Sequence, residues 1–210
     1  NDICIIIAHY SINRVCISEC TINDVHHLMR IVANNRSLHG LFISRCNDFD
    51  DDDIVCISNS LLCCNHLTSI RLDYIKITID GFRHIMNTMT TNTTMKDLII
   101  NSGYLYQHTM TDVIIETIPH IKSVRHLNLS GRYTGRTNEL CSALEKNYSI
   151  EDFHTYGFDD ESVRIVGGIF ERNKYIGQIP RELLNLAIVL APLIRVHGWF
   201  DAYCLMWIFD

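Results

Sequence analysis

Cys16, Cys20, His26 and His27 form one group of potential zinc ligands, and Cys63, Cys64 and His66 form another. Zinc sites built from such residues bring their ligands in closely spaced pairs, C-x-x-C above all, and neither group has that spacing. Ordinary core and surface use is the better reading, and no metal is expected. The run DFDDDD from Asp48 to Asp53 invites comparison with a calcium loop. It lacks the alternating oxygen ligands and the glycine at the bend, whereas acidic residues at a helix start are stabilised by the helix dipole. A solvated helix start is expected there. No G-x-S-x-G turn, phosphate loop, H-E-x-x-H helix or dinucleotide fingerprint occurs. With 11 histidines and nine cysteines, chance His/Cys neighbours are common, so a pair of them does not indicate a nucleophilic site. The expectation is a non-enzymatic chain without cofactors.

The balance of 18 Lys plus Arg against 24 Asp plus Glu gives a net charge of -6, and no basic block is present. Phosphate binding draws its affinity from clustered positive charge, so no nucleic acid partner is expected. Nine cysteines, two of them adjacent at Cys63 and Cys64, fit a reducing compartment better than a disulfide scaffold, and the cytoplasm is the expected location. The longest apolar segment, Leu183 to Ile194, contains Pro192 and is too short to cross a bilayer. It reads as a buried helix, with no membrane contact. The chain opens on Asn1 and closes on CLMWIFD, which suggests a fragment of a longer protein.

What must position any functional side chain is a repeat. The stretch SVRHLNL from Ser123 has counterparts in SINRVCI from Ser11, SLHGLFI from Ser37, HLTSIRL from His66, TMKDLII from Thr94 and SIEDFHT from Ser149, at intervals of 26 to 29 residues. Near-constant spacing of this kind marks stacked supersecondary units. Upstream of the heptads lie apolar residues at helical spacing, such as Val25, Leu28, Met29 and Val32, or Phe82, Ile85, Met86 and Met89. An asparagine (Asn35, Asn65, Asn92, Asn147, Asn173) stands before most heptads. Asparagine tolerates the left-handed conformation that closes a helix, so each unit is predicted to run strand, loop, helix, turn.

Over residues 11 to 175 this pattern resembles the leucine-rich repeats of the ribonuclease-inhibitor type, L-x-x-L-x-L-x-x-C/N-x-L. The resemblance places Cys20 and Cys46 where that family bonds a neighbouring turn, whereas later units carry Ile75, Gly103, Arg132 and Phe158. It implies an α/β leucine-rich repeat solenoid, a curved horseshoe with a parallel sheet on the concave side and helices on the convex side. Residues 1–175 would form about six repeats. Residues 176–210 would form a helical cap, begun by a truncated seventh copy at Tyr175; the apolar tail also looks faintly like an F-box-type helix that docks on a ubiquitin-ligase linker protein.

Side chains alternate across a strand, so residues flanking the inward apolar pair must point outward. The middle outward column is Cys16, Phe42, Arg71, Ile99, Asn128 and His154, flanked by one column starting at Arg14 and another running Ser18, Ser44, Asp73, Asn101, Ser130, Tyr156. Aromatic, charged and hydrogen-bonding groups mix here without a catalytic cluster, which suits recognition of a folded protein. The candidate partner-binding residues are Arg14, Phe42, Arg71, Asp73, Ile99, Asn128, His154 and Tyr156. The expected function is a protein-interaction module, with a substrate adaptor of a ubiquitin ligase as its refinement. The alternative is an extracellular receptor module glycosylated at the sequons Asn35, Asn92, Asn128 and Asn147.

Overall fold

A computed structural model describes residues 7, 10–19, 22 and 24–179, apart from 47–48, 102–107, 133–135 and 157. Strands and helices alternate: β1 (Arg14–Ser18), α1 (Val25–Asn34), β2 (Gly40–Ser44), α2 (Asp51–Cys63), β3 (Ser69–Asp73), α3 (Ile79–Thr91), β4 (Asp97–Asn101), α4 (His108–Thr117), β5 (His126–Arg132), α5 (Thr137–Glu145), β6 (Asp152–Tyr156) and α6 (Asp160–Gln178). The strands form one parallel sheet in the order β1-β2-β3-β4-β5-β6. Parallel neighbours joined by right-handed crossovers that always step the same way put every helix on one side of the sheet. The expected α/β chain of six paired parallel strands is therefore present, and its other face is left to the outward columns.

The apolar heptad positions build the core. Leu41, Ile70, Leu98 and Leu127 lie side by side in register, and all are buried. The first apolar residue of each later heptad (Leu38, Leu67, Met95, Val124, Ile150) is fully buried at the corner where the chain turns into its strand. From the other layer, Val25, Leu28, Met29 and Val32 of α1 and Phe82, Ile85, Met86 and Met89 of α3 are buried as their helical spacing predicts. Asp50 caps α2 and forms a capping box with Asp53, so the described part of the acidic run is a helix start. Asp24 caps α1 through the His27 N–H at 2.7 Å.

The asparagines do something other than expected. Asn35 (φ -88°) and Asn92 (φ -68°) close their helices without left-handed backbone. Their side chains tie unit to unit instead. The Asn92 Nδ2 donates to Leu61 O at 2.7 Å, while its Oδ1 accepts from the N–H groups of Thr94 and Met95 at 2.9 and 2.7 Å. Asn147 repeats the pattern, donating to Ile118 O and Ile121 O and accepting from Ser149 and Ile150. Asn35 donates to Tyr10 O and Asn173 to Ile150 O. Where Cys64 and Ile121 occupy the equivalent position, His66 bonds Val32 O at 3.1 Å and Ser123 Oγ donates to Asn92 O at 2.6 Å. These residues thus make bonds of the kind that the resemblance assigned to Cys20 and Cys46. Cys46 donates to Ser44 O within its own turn, Ile75 at the matching position is buried in the core, and Cys20 lies outside the described residues.

The chain divides into two compact units, Asn1–Asn173 and Lys174–Asp210. Of the second, 174–179 are described: 174–178 complete α6 and Ile179 is a bend, so the supposed seventh copy from Tyr175 is helical over its first four residues rather than a strand. The rest of the expected cap, 180–210, lies outside the described residues. Among the described residues no helix is long and apolar enough to cross a membrane.

Candidate protein-binding face

The sheet register aligns the middle column as expected: Cys16, Phe42, Arg71, Ile99, Asn128 and His154 are consecutive partners across the strands. The first flank runs Arg14, Gly40, Ser69, Asp97, His126, Asp152. The second flank holds only through Ser18, Ser44, Asp73 and Asn101. A register break in β5 between Asn128 and Arg132 makes Arg132 the partner of Tyr156, in place of Ser130. Tyr156 lies in β6, and its side chain is outside the described residues.

Three of the candidates come together. The Arg71 guanidinium lies over the Phe42 ring, 4.8 Å from its centroid. Its Nε and Nη2 converge on Asp73 Oδ2 at 2.7 and 2.6 Å. The hydrogen bond to Asp73 is the main reason the guanidinium pKa is raised further. Asp73, expected on the surface, is buried, and its Oδ1 has no hydrogen-bond partner. It therefore holds Arg71 from beneath. An arginine stacked on an aromatic ring contributes about 0.5–1 kcal/mol where exposed, and its fixed geometry lowers the entropy lost on docking.

The other candidates are more dispersed. Arg14 packs across Gly40, where a Cβ would stand 3.1 Å from Arg14 Cγ, so glycine makes room for that side chain. With Asn13, His39, Thr68, Ser69 and Asp97 it lines a shallow notch. Ile99 and Asn128 are half-buried. His154 is exposed, and its Nε2 stands 2.9 Å from Asp152 Oδ2, which also faces His126 Nδ1 at 4.0 Å.

A row missed by the outward-column reading lies one residue past the strands. Glu19, Arg45 and Tyr74 follow β1, β2 and β3 and all have positive φ (53°, 53° and 51°). None is the glycine or asparagine usual in that conformation, which costs an ordinary side chain about 1–2 kcal/mol. Each N–H continues the ladder by one bond, to Ser44 O, Asp73 O and Asn101 O at 3.1, 2.9 and 2.6 Å. The side chains join sideways: Arg45 Nη1 pairs with Glu19 Oε1 at 2.7 Å, and the Arg45 guanidinium lies 5.5 Å from the Tyr74 ring centroid. Counting two positions past each heptad would have found the row, though not its conformation.

Among the described residues singled out for metal, no group of three or more is placed to hold an ion. Cys16 is exposed on β1, His26 Nδ1 lies 3.2 Å from Cys56 Sγ on the helical side, and His66 is engaged with Val32 O. Burial pushes the Cys56, Cys64 and Cys141 thiols up, away from reactive thiolate. The glycan acceptor atoms of Asn92 and Asn147 are buried and committed to the carbonyls of other units, which removes two of the sequons as attachment sites.

No known protein-family model matches the chain, and no curated protein matches it. Solved structures with similar folds include the following two. One is leiomodin-1 actin-binding site 2, at 14% identity and TM-score 0.55, covering 84% of this chain and 90% of the other. The second is the C-terminal domain of tropomodulin from Caenorhabditis elegans, at 13% identity and TM-score 0.53, covering 74% of this chain and 96% of the other. These neighbours overturn the resemblance to ribonuclease-inhibitor-type leucine-rich repeats, and nothing in the comparisons supports a ubiquitin-ligase adaptor. The misleading signal has a physical origin: any stack of parallel strand–helix units needs apolar residues at this spacing, so the spacing does not single out one family. In fold, the chain is like the C-terminal domain of tropomodulin and actin-binding site 2 of leiomodin-1.

Proposed function

We propose that the chain is a non-enzymatic protein-binding module, an open stack of six strand–helix units that meets a cytoplasmic protein through the outward face of its sheet. The observation that carries this reading is Arg71 held flat over Phe42 at 4.8 Å by the buried Asp73. Arginine and aromatic residues dominate the energetic centres of interfaces, and an ordered pair of them has already lost much of the freedom that binding would remove. The free thiols of Cys16, Cys56, Cys63, Cys64 and Cys141 support a reducing compartment.

Actin is the first partner to test, because one of the similar folds is actin-binding site 2 of leiomodin-1. Fluorescently labelled actin, as monomer and as filament, is titrated with the chain at physiological salt. Saturable binding supports actin as the partner. A flat titration in both forms overturns it.

A further inference from the structure

Arg71 presents two edges, and Asp73 occupies one of them. Its Nε–Nη2 edge is engaged by Asp73 Oδ2. No acceptor meets Nη1 among the described residues, and the side chain is 46% exposed. A guanidinium is a planar fork with donors on two edges, and the Nη1–Nη2 edge matches the two oxygens of a second carboxylate. The charge of the surroundings selects the same ligand. Among the described side chains of the outward columns, β1–β3 carry Arg14 and Arg71 against Asp73, whereas β4–β6 carry Asp97 and Asp152. Among the described residues Arg14 has no acidic partner, and the Arg45–Glu19 pair, with both side chains more than 60% exposed, is readily exchanged for a partner's acid. An acidic segment is therefore repelled from β4–β6 and received by β1–β3.

We propose that this half of the face takes an aspartate or glutamate side chain of the protein partner, its carboxylate gripped end-on by Nη1 and Nη2 of Arg71 while Phe42 backs the guanidinium. The inference rests on the protein-binding reading and adds the chemistry of the contact.

The test uses the whole chain labelled with 15N-arginine and followed by NMR of the side-chain N–H groups. The probe is N-acetylglutamic acid α-amide, with N-acetylglutamine α-amide as the neutral control. Arg71 is expected to shift saturably with the acid and not with the amide, and to respond more strongly than Arg164, which is 79% exposed on α6 and reports non-specific attraction. In a uniformly 15N-labelled chain followed through the backbone N–H of Phe42, Arg71→Lys, which keeps the charge beside Asp73 but loses the fork, should bind the acid about tenfold more weakly than the parent. A response at Arg71 equal to that at Arg164, or equal for acid and amide, overturns the proposal. Partner binding by Phe42→Ala is measured separately, so loss of protein binding without a carboxylate response overturns this inference alone.

Discussion

The two halves of the sheet share an interior and differ on the outside. Leu41 in β2 and Leu127 in β5 occupy the same core column with the same burial. Outside, β1–β3 continue their ladder through Glu19, Arg45 and Tyr74 and carry two arginines on aromatic rings. In β4–β6 the register breaks in β5, and the face holds His126, Asp152 and His154 around one carboxylate. A repeat constrains what every unit must do to bury its neighbours, and it leaves outward positions unconstrained. Under the proposed protein-binding reading, recognition is concentrated where the halves diverge, with the ordered, arginine-bearing half as its anchor.

The first way to break the comparison is to attack what the halves share. Leu41→Ala and Leu127→Ala should each cost about 2–5 kcal/mol as large-to-small core changes. Denaturant unfolding that finds only one of them costly would mean the interior is not equivalent. Next in size, Asn147→Ala should cost at least about 2 kcal/mol, because two carbonyls each lose one donor and two N–H groups lose their side-chain acceptor. Asn128→Ala, on the outward face, should stay within about 0.5 kcal/mol. Equal costs would show that the asparagine ties are incidental.

These contrasts show how far the sequence was legible. The strands and their register followed from the heptads, because an apolar pair at fixed spacing says which side of each strand is wet. The role of Asn35, Asn92 and Asn147 did not, since a local preference for left-handed backbone says nothing about a carbonyl one unit away. Nor did the burial of Asp73, which depends on Arg71 closing over it from the same strand. The register break in β5 was equally silent, since heptad spacing stops at Leu129.

A smaller effect sharpens the outward difference. Arg71→Ala leaves the buried Asp73 carboxylate without its cation and should cost about 1–2 kcal/mol; the Arg71→Ala/Asp73→Ala double variant should recover part of that loss. A double variant less stable than the single would show that Asp73 is held by something else. The smallest effect concerns pH. Hydrogen bonds from Ser162, side chain first and backbone second, hold the Asp159 carboxyl below its ordinary range at the start of α6. The folded pKa is lowered, so this stabilisation is complete above the unfolded value and is lost as pH falls through the folded one. Melting temperature followed from about pH 5 to about pH 2 should fall slightly less steeply in Asp159→Asn than in the parent. Parallel curves would deny Asp159 that role.

The central claim is tested most directly by comparing the two halves in one titration of labelled actin, with a site on the helical side as control. Phe42→Ala should weaken binding by about tenfold or more, while His154→Ala in β6 and Val163→Ala on α6 should stay within about twofold. Full affinity in Phe42→Ala, together with loss in either of the others, would contradict recognition through the β1–β3 half of the face.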